Sequence, residues 1–243
     1  MKIWKALFEG QTITCMGCGA SLSESIHGLC RRCASNIPWL SELKCRICGR
    51  DMDCPDCAGI RRQGFICNRS AVRYEEPIID WMARYKYRGD EQLSALFGDL
   101  LQLAWKRLTH DIPKLRGLPV AVTYIPLSQE RAMERGFNQT EQMAQRLSSL
   151  QGFKVFELLK RVRHTEKQSF KSRTERAESL KHVFGLNREE AGRLYHWASK
   201  QKKQPVIVMI DDIYTTGSTL REASNVVRGS IPLPIFCLTA ARS

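Results

Sequence analysis

Residues 206–220, VIVMIDDIYTTGSTL, join an aliphatic run to two adjacent carboxylates, Asp211 and Asp212, and then to the hydroxyls of Thr215, Thr216, Ser218 and Thr219 around Gly217. A near-continuous apolar run is how a strand buried on both faces reads, and it points to a parallel sheet covered by helices. The strand is expected to stop at the aspartates. The loop YTTGST leads into a helix expected over Thr219–Val227, which gathers hydroxyls and free N–H groups at the positive end of a helix dipole. Gly217 lacks the Cβ that would hold an anion away from the backbone. The two carboxylates can accept hydrogen bonds from vicinal hydroxyls or hold a hydrated Mg²⁺. A ribose carrying a phosphate satisfies both halves of this chemistry.

Outward from that stretch, strands and helices alternate. ICNRSAVRYEE reads as a strand, Pro77–Arg88 and Gln92–Leu108 as helices, and LPVAVTYIP as a strand. A polar loop, LSQERAMERGFNQ, precedes a helix over Thr140–Ser149; KVFELLKRV and LPIFCLTAA supply further strands. The alternation defines an α/β domain built on a parallel sheet, whose ligands bind beyond the carboxyl ends of the strands. Residues 160–176, with seven Lys/Arg against two Glu, read as an exposed, mobile loop.

The first 57 residues carry a different pattern, four CxxC pairs. A two-residue gap lets both thiolates of a pair enter one tight turn, and two such turns complete the tetrahedron of a structural Zn²⁺. CMGCG and CRICG mark an internal repeat of about 30 residues in which glycine lets the backbone curl beneath the metal. One site is assigned to Cys15, Cys18, Cys30 and Cys33, and a second to Cys45, Cys48, Cys54 and Cys57; interleaved pairing stays open. His27 reads as a solvated histidine, because four thiolates already fill its site. Cys67 and Cys237 read as ordinary buried thiols. With no vacant coordination position, the metals serve as scaffold or docking surface for a segment too short to build its own core. The cysteine-rich module is expected over 1–66 and the α/β domain over 67–243.

The chain has 243 residues, enough for one domain and a small appendage, and its 43% hydrophobic and 26% charged residues argue against wholesale disorder. No apolar run reaches the length of a membrane span, and the start MKIWKALFEGQ has no signal-like core, so a cytoplasmic protein without a membrane partner is expected. A net charge of +13 suggests a polyanionic partner such as nucleic acid. Tyr85, Tyr87 and Phe137 lie among Lys86, Arg88, Arg131 and Arg135, where aromatic rings can stack bases in a basic groove.

The 206–220 stretch resembles the phosphoribosyl pyrophosphate (PRPP) signature of type I phosphoribosyltransferases. Together with the cysteine-rich start, IPLSQERAMERGFNQTEQMA and KRVRHTEKQSFKSRTER, it makes nearly the whole chain similar to the ComF/GntX family, late competence proteins that handle incoming DNA. The resemblance implies that Asp211 and Asp212 bind ribose hydroxyls, with Mg²⁺ accompanying PRPP, and that Thr215, Thr216, Gly217, Ser218 and Thr219 wrap the 5′-phosphate. It places Arg131, Arg135 and Asn138 beside the pyrophosphate, and Arg161, Arg163, Gln168 and Arg176 on a flexible basic loop that closes over the ligand or meets DNA. The partners implied are single-stranded DNA and a ComFA-type helicase docked on the zinc module. A departure is Ser179, where the family's asparagine is expected. The alternative function is phosphoribosyl transfer to a nucleobase or other acceptor, for which no acceptor site is recognisable.

Overall fold

The computed structural model describes residues 14–52, 54, 57, 64–162 and 182–243. It divides into two compact units, Met1–Ile37 and Pro38–Ser243. The division falls well before residue 66, so the second cysteine quartet belongs to the larger unit.

The smaller unit is built from two turns and one short helix. Cys15 N–H donates to Ala20 O at 2.8 Å and Gly19 N–H to Cys15 O at 2.8 Å, closing a knuckle that needs the left-handed φ of +75° at Gly19. Ile26 and Leu29 bridge across a second turn. Helix α1, Arg31–Ser35, follows, with the Cys30 thiol accepting from Cys33 N–H at its start.

The larger unit is a five-stranded, all-parallel sheet in the order β1-β7-β6-β2-β3. Its strands are β1 (Asn68–Arg73), β2 (Val120–Tyr124), β3 (Lys154–Val155), β6 (Val206–Tyr214) and β7 (Ile235–Arg242). A separate antiparallel pair joins β4 (Leu159–Arg161) to β5 (Phe184–Leu186). The helices are α2 (Ile78–Tyr87), α3 (Leu93–Asp111), α4 (Gln129–Arg135), α5 (Gln139–Gln151), α6 (Arg188–Ser199) and α7 (Ser218–Arg228). Every residue of β2 and β7 is buried, which matches their largely apolar or small-residue sequences; the exception is Arg242, a buried charge at the end of β7. Residues 38–40 run antiparallel to β1: Arg73 N–H donates to Pro38 O, and Leu40 N–H to Ala71 O, so the outer edge of β1 is paired.

Three elements depart from expectation. The loop LSQERAMERGFNQ contains α4, capped at its start by Ser128 and at its end by left-handed Gly136; it buries no residue, which is why no apolar period announces it. KVFELLKRV divides between β3 in the main sheet and β4 in the small one. Strand β6 does not stop at the aspartates but continues to Tyr214, because β7 pairs with it as far as Tyr214↔Arg242. The basic segment expected as a closing loop falls largely outside the described residues.

Candidate functional site

The site opens where one strand outruns its neighbour. β2 pairs with β6 from Val120↔Val206 to Tyr124↔Ile210 and then ends, while β6 continues along β7. Asp211 and Asp212 are the first β6 residues beyond that pairing. Over them lies a cavity of about 250 Å³, lined by Lys86, Tyr87, Pro126, Arg131, Arg135, Arg161, Asp211, Asp212, Thr215 and Thr219 among others. Residues from α2, α4, β4, β6 and α7 therefore meet in one place, beyond the carboxyl end of β2.

Asp212 is tied down from two sides. Lys86 Nζ lies 2.6 Å from its Oδ2, and the Gln139 side-chain amide donates to the same oxygen at 2.8 Å. Arg135 in turn donates to Gln139 Oε1, completing a chain of side chains from α4 through α5 to β6. Burial alone would push the Asp212 pKa up, but the Lys86 ammonium and the hydrogen bonds outweigh it and hold the pKa below the usual carboxylate range. Asp211 goes the other way: burial, then repulsion from Asp212, pushes its pKa up to about 8, although the Asp212 N–H donates to its Oδ1 at 2.9 Å. The two environments push the pair apart, Asp212 toward the carboxylate and Asp211 toward the carboxylic acid.

Four cationic side chains, Lys86, Arg131, Arg135 and Arg161, thus face this pair, of which Asp212 is itself engaged by Lys86. Burial draws the guanidinium pKa values of Arg135 and Arg161 down; for Arg161 the nearby charge of Arg131 adds to it. Such a cavity favours a multivalent anion.

The loop 215–219 rises beside it. Gly217 sits at φ +74° as the N-cap of α7, and the first helix N–H, that of Ser218, donates to Thr216 Oγ1 at 3.4 Å. The hydroxyl-bearing residues Thr215 and Thr219 line the cavity wall at the start of α7, where the helix dipole favours an anion. Thr216 and Ser218 are engaged with each other, oxygen to oxygen at 2.8 Å, and shape the bend without lining the cavity. Gly217 has a reason beyond anion approach: a Cβ there would come within 2.2 Å of the Tyr214 hydroxyl oxygen.

The remaining candidates divide. Arg131, Arg135 and Arg161 reach the cavity. Asn138 instead caps α5, accepting from Thr140 N–H at 3.2 Å and donating to Ile125 O at 3.2 Å, so it fastens α5 to the end of β2. Arg163, Gln168 and Arg176 lie outside the described residues. Lys86 and Gln139 hold Asp212 and were not singled out as site residues in the sequence; the only local hint of Lys86 was its place between two tyrosines. The aromatic groove also changes: Tyr85 is fully buried, stacked on Phe97 and Phe137 at 5.6 and 5.4 Å, which leaves Tyr87, 77% exposed and under the Arg135 guanidinium, as the ring open to a base.

Both cysteine quartets assemble with the assigned pairing, Cys15/Cys18/Cys30/Cys33 and Cys45/Cys48/Cys54/Cys57, all ligand atoms of a quartet lying within 4.8 Å of one another. All ten cysteines are free thiols. A tetrahedral Zn²⁺ with Zn–S of about 2.3 Å sets S–S edges of about 3.8 Å. Cys18 and Cys30 Sγ stand 3.9 Å apart and Cys48 and Cys54 Sγ 3.5 Å, and Cys30 N–H donates to Cys15 Sγ at 3.2 Å, as a thiolate ligand requires. The residues fit a structural zinc at each site without His27. Among the described residues no helix is long and apolar enough to cross a membrane.

A five-stranded parallel sheet carried with two Cys₄ clusters defines an α/β domain accompanied by zinc-ribbon elements. No family model matches the chain. It is 29% identical over 223 residues to competence protein F of Haemophilus influenzae, covering 88% of this chain and 90% of that protein. It is 27% identical over 232 residues to competence protein ComFC of Bacillus subtilis, covering 87% of each. It is 26% identical over 237 residues to the DNA utilization protein YhgH of Escherichia coli K12, covering 88% of this chain and 97% of that one. Over nearly nine-tenths of its length the chain is thus similar to competence and DNA utilization proteins.

Proposed function

We propose that this chain is a competence protein of the cytoplasm, acting without a membrane partner on DNA taken up from outside, and that its α/β domain binds PRPP or a similar sugar phosphate. The observation that carries the ligand reading is the single cavity joining a carboxylate pair, Thr215 and Thr219 at a helix N-terminus, and four cationic side chains. In this reading Asp211 and Asp212 receive the ribose hydroxyls and the 215–219 loop the 5′-phosphate, with Arg131 and Arg135 against the pyrophosphate. Mg²⁺, when bound with the pyrophosphate, would neutralise its charge beside the two aspartates. Arg161, at the end of β4 rather than on the expected loop, faces the ligand or DNA; Arg163, Gln168 and Arg176 lie outside the described residues.

Competence and DNA utilization in the names of the relatives support the DNA role, and a net charge of +13 supplies the electrostatic term for single-stranded DNA. The zinc-bearing N-terminal region is then the docking surface for a ComFA-type helicase. Retention of a labelled single-stranded oligonucleotide, followed as salt is raised, tests the DNA reading: binding that weakens steeply with salt supports it, and no retention at low salt removes it. A second reading, phosphoribosyl transfer to a nucleobase, is favoured by the same cavity; pyrophosphate release from PRPP with a panel of acceptors, abolished in Asp212→Asn, tests it.

A further inference from the structure

The second cysteine quartet lies against the residues beneath the phosphate loop. Cys48 is fully buried and shares a core with Cys57, Phe65, Tyr214 and Leu220. Arg242, at the end of β7 and only 2% exposed, donates from Nη2 to Cys48 Sγ at 3.6 Å and from Nη1 to Tyr214 O at 3.1 Å. Its guanidinium carbon also stands 4.8 Å from the centre of the Tyr214 ring. Tyr214 is 2% exposed, and Gly217 rests against it so closely that a Cβ would strike the hydroxyl and ring.

Arg242 also donates from Nη1 to Ser243 O, and no Asp or Glu side chain pairs with it among the described residues. A buried guanidinium is costly unless it is well paired. Four thiolates around one Zn²⁺ carry a net charge of −2, so metal binding at this quartet would place negative charge against Arg242 at Cys48. We infer that the Cys45/Cys48/Cys54/Cys57 centre is a positioning element for the phosphate loop. Metal there holds Arg242, Arg242 holds Tyr214, and Tyr214 seats Gly217 at the base of the loop. The contact runs through the protein's own side chains and makes loop order depend on this quartet and not on the first. Its consequence for ligand binding rests on the phosphate reading of residues 215–219.

The test uses the full chain as wild type, Cys48→Ser, Arg242→Met and Cys18→Ser, with zinc stoichiometry by native mass spectrometry, amide hydrogen exchange of residues 215–219, and affinity for inorganic phosphate. Arg242→Met keeps both metals, and is expected to speed exchange across the loop roughly tenfold and to weaken phosphate binding. Cys48→Ser is expected to lose one zinc with at least the same effect on the loop. Cys18→Ser is expected to lose one zinc and leave loop exchange unchanged. Wild-type exchange rates in Arg242→Met, or equal acceleration in Cys18→Ser, overturn the inference. Should Cys48→Ser fail to fold, Arg242→Met decides. If the wild type binds no phosphate while the loop still responds to Arg242→Met, the phosphate reading fails and the brace stands.

Discussion

The two cysteine quartets are spelled alike and placed differently. Each begins with a CxxCG knuckle in which the glycine N–H returns to the first cysteine carbonyl, Gly19 to Cys15 at 2.8 Å and Gly49 to Cys45 at 2.9 Å. The first knuckle lies in a compact unit of its own, with Cys18 exposed and no buried residue in α1. The second is absorbed into the larger unit: Asn68 N–H donates to Ile47 O at 2.7 Å, and Cys48 is walled in by residues that also support the ligand cavity. One motif can therefore lie in a compact unit of its own or become part of a larger domain's core.

The difference has measurable consequences, largest first. Cys45→Ser removes a ligand from the embedded site, where structural zinc contributes directly to folding free energy; the melting transition of the α/β unit should fall steeply or vanish. Cys15→Ser should cost one zinc and unfold the small unit while leaving that transition in place. Differential scanning calorimetry with metal analysis distinguishes the two, and equal losses would erase the distinction between the quartets.

Within the larger unit, Lys86→Met leaves Asp212 buried without its cation. Breaking such a pair costs about 3 kcal/mol, readable from denaturant unfolding. With Lys86 the depressed Asp212 pKa gives stability that is present above the unfolded carboxylate range and lost as pH falls through the folded pKa. The variant should lose that acid limb.

Gly217→Ala forces a Cβ onto Tyr214 at a left-handed φ, which should cost on the order of 1–2 kcal/mol and displace the loop. The same substitution at Gly19, where a Cβ meets nothing within 4 Å, carries only the backbone strain, and comparing the two measures the contribution of the embedded core.

The smallest effect belongs to Asp211→Asn. The folded pKa of Asp211 is raised to about 8, so its contribution to stability is fully present below the unfolded carboxylate range and declines as pH rises toward 8. The asparagine variant should flatten the stability profile between about pH 4 and 8 and weaken sugar-phosphate binding. A profile unchanged from the wild type would mean that Asp211 is ionised throughout.

Much of this architecture is legible in the sequence because buried parallel strands are nearly pure apolar runs and because the hydroxyl-rich bend is local. VIVMI and the YTTGST bend needed no tertiary information. The end of β6 did: polar residues signal a strand's end unless a neighbour such as β7 keeps pairing with it. Helix α4 was hidden because it buries nothing, and α6 because Ala191 and Leu194 are its sole buried side chains. Lys86 and Gln139 reach Asp212 across 126 and 73 residues of chain, a pairing that no local pattern encodes. The domain boundary was hidden for the same reason. A repeat suggests one module, but which copy is embedded depends on distant residues such as Asn68 and Arg242.

The account stands on the cavity at the end of β6 being a seat for a phosphorylated sugar. Isothermal titration of the full chain with PRPP and Mg²⁺, beside the Asp211→Ala variant, measures that directly. Saturable one-to-one binding in the wild type, weakened at least tenfold in the variant with its fold retained, is the expected result. No heat of binding, or equal affinity in the two proteins, would contradict it.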